Sequence, residues 1–186
     1  MKNSALTIRD TCQVGIFVAI IAACAQISIT MPIGVPMTLQ TFAIPLAGVV
    51  LGVKKGVIAT VVYILLGAVG MPVFANFTGG IGVIFGRTGG FILSFPLMAL
   101  AAGIGAWKGK IWLTTWLVMG AVVNYLCGLL MFSFITSIGL AAAFPLVVLP
   151  FLLTDALKIV MVVVLGNIIK YALVKNGLLT TKHRIS

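Results

Sequence analysis

An all-α integral membrane protein with six transmembrane helices is the fold class this sequence predicts, and three observations predict it. Of the 186 residues 62% are apolar, only 8% are charged, and long charge-free runs are broken at intervals by proline and glycine. A soluble domain of this length needs about a quarter of its residues charged to clothe its surface. With 12 basic and 2 acidic residues, most of this chain must take lipid as its solvent.

Thr11 to Val53 contains no charged residue. As a single helix that run would reach about 65 Å, roughly twice a bilayer core, so it must turn back. Met31-Pro32-Ile33-Gly34-Val35-Pro36 supplies the break, because proline lacks a donor and fixes φ while glycine opens the turn. A first span near 12–30 and a second near 38–53 follow. Lys54-Lys55-Gly56 marks the next water contact, and Val57 to Gly70 reads as a short third span, 57–70, ending before Met71-Pro72. Arg87 interrupts, and a fourth span occupies 89–107. After Lys108 and Lys110 the charge-free run from Ile111 to Thr154 folds back at Ser137, Gly139 and Pro145, giving a fifth span at 112–136 and a sixth at 146–172. The chain, 1–186, reads as one transmembrane domain.

The net charge of +10 would suggest nucleic acid in a soluble domain; here it sets orientation. With both termini on one side, the loops there carry Lys2 and Arg9, then Lys54 and Lys55, then Lys108 and Lys110, then Lys170, Lys175, Lys182 and Arg184. The opposite loops, near 31–37, 71–86 and 137–145, carry no Lys, Arg, Asp or Glu. The positive-inside bias therefore predicts cytoplasmic termini.

Ile21-Ala22-Ala23-Cys24 has the form of a lipoprotein cleavage box, but the chain beyond it stays apolar, so the sequence predicts an uncleaved first helix. Cys12, Cys24 and Cys127 are odd in number and lie in apolar surroundings, which points to packing. With a lone His183 and no C-x-x-C, no metal site is expected. Gly109-Lys110 lacks the flanking residues of a phosphate-binding loop, so ATP hydrolysis is not expected of this chain.

Arg87, Asp155 and Lys158 remain as charges that orientation does not explain. A charge at membrane depth is costly and faces a cavity, a partner or a pathway. Asp155 and Lys158, three apart, share a helical face. The pair suits three roles: a self-neutralising structural ion pair, a polar clamp for a ligand with donors beside an acceptor, or a proton relay that lacks a second acid. Around Arg87, Thr-Gly-Gly occurs at 78–80 and again at 88–90. This stretch reads either as a lid or re-entrant segment lining a cavity, or as an outer loop whose arginine reaches for headgroups. Gln26, Gln40, Asn76, Asn124 and Tyr125 add uncharged polar groups at depth, and Ala19, Ala22 and Ala23 form a small-residue face where another helix can approach.

Four stretches together resemble the BioY family, the biotin-specific substrate-binding subunits (S components) of energy-coupling-factor (ECF) vitamin transporters. They are Val35-Pro36-Met37-Thr38-Leu39-Gln40-Thr41-Phe42, Gly67-Ala68-Val69-Gly70-Met71-Pro72-Val73-Phe74-Ala75, Thr88-Gly89-Gly90-Phe91 and Asp155-Ala156-Leu157-Lys158. The resemblance implies a six-helix S-component fold in a prokaryotic plasma membrane, with biotin as transported ligand and no cofactor. It also implies docking through helix one, at Ala19 and Ala23, onto a transmembrane coupling subunit that carries two ATPases. In that light Asp155 would accept from the ureido N–H groups and Lys158 would donate to the ureido oxygen. Arg87, standing where the family pattern commonly has proline, or the backbone amides beside it at Gly89 and Gly90, would meet the valerate carboxylate. Phe74, Phe91 and Tyr125 would flank the ring, with Gln40, Asn76 and Asn124 as further polar contacts. The competing readings are an S component for thiamine or riboflavin, a membrane enzyme using Asp155 or Arg87, and a structural assembly factor. The enzyme reading lacks a second carboxylate and an in-span histidine.

Overall fold

The computed structural model describes residues 7–177; Lys2, Lys182, His183 and Arg184 lie outside the described residues. Helix α1 (Ile8–Gln26) starts four residues before the expected span. Thr7 accepts from the Asp10 amide while the Asp10 carboxylate accepts from the Thr7 amide, a capping box that satisfies two of the orphan donors at the helix start. The helix stops at Gln26, where a short hairpin begins: β1 (Ser28–Ile29) pairs antiparallel with β2 (Met37–Thr38) around the predicted proline-glycine break. The expected continuation to residue 30 is thus replaced by strand.

Helix α2 (Gln40–Leu51) and helix α3 (Val53–Ala68) are separated by one residue, Gly52, at φ +81°. A left-handed turn that tight favours glycine. It places Lys54 and Lys55 inside the first turn of α3, not in the expected loop. Lys54 is exposed, but Lys55 is buried and bonds Asp10 at 3.0 Å and Gln13 at 2.8 Å. The segment from 70 to 88 holds a short 3₁₀ turn at Ala75–Phe77 and a one-turn helix, α4 (Ile81–Ile84). Helix α5 (Gly89–Gly105), helix α6 (Lys110–Thr136), helix α7 (Leu140–Val147) and helix α8 (Leu149–Lys175) complete the chain. The expected turn at 137–145 is therefore largely helical, and α8 starts later than the sequence suggested.

Helices α1, α6 and α8 are long and apolar enough to cross a membrane. The other three main helices are shorter than expected of full spans. At 1.5 Å per residue α2 rises about 18 Å and α5 about 26 Å, less than the roughly 30 Å of a bilayer core. Helix α2 is sheathed by its neighbours: every residue from Ala43 to Leu51 is buried, against α1, α3, α5 and α8. Its core positions Ala43, Ile44, Ala47 and Val50 join those of α1, α3 and α5 in the main apolar cluster.

Three contacts collect helix ends at one pole. Arg9 donates to the Gly177 carbonyl at 3.0 Å, joining the start of α1 to the end of α8. Lys55 joins α3 to α1 through Asp10. Lys170 lies 3.4 Å from the Trp107 ring centroid and donates to the Ala106 carbonyl at 2.6 Å, capping the end of α5 from α8. Lys55 and Lys170, expected only to set orientation, are also structural. The hairpin, the 70–88 segment, α7 and the starts of α2, α5 and α8 gather at the opposite pole, where the cavity lies.

Candidate functional site

Asp155 on α8 is 5% exposed and Lys158, one turn on, 6%. Burial of two ions demands excellent pairing, and the geometry supplies it. Lys158 Nζ lies 2.7 Å from Asp155 Oδ1, and donates as well to Thr41 Oγ1 and to the Thr38 carbonyl, both at 2.8 Å. These three bonds use every proton an ammonium has. Thr41 donates to the same Asp155 oxygen at 2.9 Å, and Tyr125 donates to Oδ2 at 2.6 Å. The first turn of α2, the middle of α6 and the first turns of α8 are thereby locked around one carboxylate.

Asp155 opens onto a cavity of about 320 Å³, at the lower end of the roughly 300–1,000 Å³ usual for small-molecule sites. Its walls are mainly apolar and aromatic. Phe74 is 1% exposed and meets Tyr63 edge-on, with centroids 5.6 Å apart. Phe91 stacks on Phe151 at 6.3 Å, on the side of α8. Gln40, Asn76, Asn124 and Tyr125 line the cavity with Asp155, and so does Arg87.

Not every expected residue reaches it. Lys158 is absent from the lining and its donors are taken, so it positions Asp155 and β2 where the sequence suggested a direct ligand contact. Gly89 and Gly90 are buried where helices touch: a Cβ on Gly89 would stand 1.8 Å from the Ile84 carbonyl oxygen, and one on Gly90 2.2 Å from that of Cys127. The Gly89 amide already donates to the Gly86 carbonyl at 3.0 Å. Both glycines serve close packing of α5 and stand outside the lining, whereas Arg87, Thr88 and Phe91 on either side of them line the cavity.

The polar groups divide by what they have left to offer. Gln40 accepts from Thr38 at 2.9 Å and donates to the Tyr63 hydroxyl. Asn124 donates to the Phe91 carbonyl at 2.9 Å and to Ser94 at 2.7 Å, tying α6 to α5 and leaving its carbonyl oxygen for a ligand. Asn76 sits at φ 56° and accepts from Ser28 at 2.8 Å. Arg87 is exposed and leans over the hairpin, since a Cβ on Gly34 would stand 3.3 Å from its Nη1. Asp10 and Asp155 are both paired with lysines, so the Arg87 guanidinium at the cavity rim has no acidic partner among the described residues.

Thr38, Thr41 and Phe151 were not singled out by the sequence reading. The two threonines lay in the stretch that carried the family resemblance, and a Thr-x-Gln-Thr cluster in a charge-free run was their signal. Nothing local marked Phe151. Ala19 and Ala23 are exposed on α1 and Ala22 is half-buried, away from the cavity lining.

A helical bundle that closes a short hairpin and an irregular segment over a buried, acid-floored cavity defines a membrane protein of the small-molecule-capture class. Its fold matches a structure described as the S-component for biotin from an ECF-type ABC transporter, with a TM-score of 0.82, 23% identity, and coverage of 92% of this chain and 95% of that one. The family model for the BioY family matches residues 1–175, and the chain belongs to that family. It is 44% identical to a probable biotin transporter BioY of Pyrococcus horikoshii over 159 residues, 86% of this chain and 94% of the relative. It is also 40% identical to the biotin transporter BioY of Thermotoga maritima over 155 residues, 82% of this chain and 90% of the relative.

Proposed function

We propose that this protein is the biotin-binding substrate subunit of an ECF-type uptake transporter, taking up biotin across a prokaryotic cell membrane as a multi-pass protein and catalysing no reaction itself. One observation carries the reading. A buried carboxylate, oriented by Lys158, Thr41 and Tyr125, floors a cavity whose rim holds an arginine without an acidic partner among the described residues. Biotin presents urea N–H donors at one end and a carboxylate at the other. Asp155 Oδ2, which receives one bond from Tyr125, keeps acceptor capacity for a ureido N–H. Arg87 offers a planar donor fork to the carboxylate, and Phe74, Phe91 and Phe151 pack the ring and tail between them.

The reading includes six membrane crossings, made by α1, α2, α3, α5, α6 and α8, with both termini cytoplasmic. The cations gathered at the pole of Arg9, Lys54, Lys108, Lys110 and Lys175 support it, and so does the sheathing of short α2 by its neighbours, which spares it contact with lipid. The exposed Ala19 and Ala23 leave a shallow strip on α1 where a transmembrane coupling subunit carrying two ATPases would dock. The test is an equilibrium titration of detergent-purified protein with biotin, thiamine and riboflavin in parallel. Saturable binding of biotin alone is expected; preference for either other vitamin would replace the ligand, and failure to bind any of them would remove the capture role.

A further inference from the structure

Gln26 ends α1 and lies outside the cavity lining, yet its side chain is committed to the cavity wall. Its Oε1 accepts from the Phe77 amide at 2.8 Å. Its Nε2 donates to the carbonyls of Phe74 at 3.1 Å, Val73 at 3.3 Å and Ala22 at 3.1 Å, so one of its two protons is shared. The 73–78 segment that it holds supplies Phe74, Ala75, Asn76 and Thr78 to the lining. That segment is irregular backbone: Asn76 and Phe77 are consecutive residues at φ 56° and 55°, a region that costs of order 1–3 kcal/mol for each non-glycine residue unless its surroundings hold it. Its own closure consists of the Phe74–Thr78 bridge, with the Phe74 amide donating to the Thr78 carbonyl at 3.0 Å, and of the Thr78 amide and hydroxyl bonded to the Ala75 carbonyl.

We infer that Gln26 is a positioning residue that holds the 73–78 wall in its ligand-receiving conformation and links occupancy of the cavity to the order of the last turns of α1. A ligand that packs on Phe74 and Asn76 favours the conformation in which Phe77 N–H and the Phe74 carbonyl face Gln26. By linkage the same ligand then stabilises the helix end that carries the carboxamide. The residue touches no ligand. It acts through the wall, and the inference rests on the proposed function for its choice of ligand.

Hydrogen–deuterium exchange on the purified full chain tests it, with biotin at about 100 times its Kd. At that excess, openings that require an empty site are suppressed by up to about a hundredfold. In wild type the segments 20–27 and 73–80 should both slow. In Gln26→Leu, titrated to the same saturation, 73–80 should slow and 20–27 should not. A side chain that merely stiffens the fold would raise exchange in the variant and leave the biotin effect on α1 intact, which overturns the inference. So does wild type in which biotin binds and 20–27 is unmoved, a result that needs no variant. Should Gln26→Leu fail to fold, Gln26→Glu keeps an acceptor for Phe77 and loses the donors.

A cycle without ligand decides the matter if biotin does not bind, an outcome that removes the proposed function and leaves this link standing on its own. Phe77→Val, whose β-branched side chain disfavours the positive φ that residue 77 holds, should raise exchange at 20–27 by at least about twofold, the lower bound for residues of one hydrogen-bonded network. The same substitution on Gln26→Leu should add nothing there. Equal effects in both backgrounds overturn the link.

Discussion

Replacing Asp155 by asparagine changes one oxygen and deletes the charge on which three elements, α2, α6 and α8, converge. Lys158, Thr41 and Tyr125 all donate to that carboxylate, at 2.7, 2.9 and 2.6 Å. In Asp155→Asn the Lys158 ammonium, 6% exposed, stays buried without a counter-charge, and breaking a buried pair from one side costs about 3–5 kcal/mol. Stability must therefore be measured beside binding, as the thermal midpoint in detergent and as monodisperse elution. For protein that remains folded, losing a charge-assisted bond to a ureido N–H costs about 1.5–3 kcal/mol, roughly ten- to a hundredfold in affinity. The assay is a cycle: biotin and an analogue altered only in the ureido group, each titrated against wild type and Asp155→Asn. If Asp155 meets the ring, the two changes delete the same bond and their losses are strongly non-additive. Additive losses in well-folded protein would refute the assignment and return the acid to a purely structural role.

Four further outcomes are expected. Lys158→Met alone should destabilise by about 3–5 kcal/mol, whereas Asp155→Asn with Lys158→Met should recover much of that, since both ions then leave together; thermal midpoints of the three variants decide it. Gly90→Ala must push α5 from the Cys127 carbonyl, since its Cβ would stand 2.2 Å away, and should cost about 1–3 kcal/mol in the same measurement. Ala19→Trp with Ala23→Trp should abolish ATP-driven uptake in the presence of the coupling module and leave biotin binding unchanged, and normal uptake would place docking elsewhere. A single cysteine at position 109, in an otherwise cysteine-free chain, should resist an impermeant thiol reagent added outside intact cells and react after permeabilisation; labelling from outside would invert the orientation.

The sequence reading and the structure part company at particular residues, and for one reason. Hydropathy and helical periodicity are local properties, so the long helices, the break at 31–36 and the shared face of Asp155 and Lys158 could be read from spacing alone. Helix α1 begins ahead of the charge-free run that marked the first span, because the Asp10 carboxylate just before that run completes a capping box and meets buried Lys55. Lys54 and Lys55 suggested a loop because two adjacent cations normally do. A single left-handed Gly52 makes the turn instead, and no composition shift announces a one-residue connection.

By itself the sequence determined the solvent, since 8% charged residues cannot clothe a soluble surface. It also determined the order of the helices and the presence of an acid and a lysine on one face of the last. Only the tertiary structure decided what each polar group does. Lys158 is spent on Thr38 and Thr41, Gly89 and Gly90 let helices touch, Arg87 leans over the cavity rim, and Gln26 reaches across to the 73–78 wall. These partners are far apart in the chain, and which of them meet depends on how each helix is rotated and tilted against its neighbours. That rotation is chosen by the whole set of packed side chains, because a buried donor or acceptor must find a partner wherever the bundle provides one.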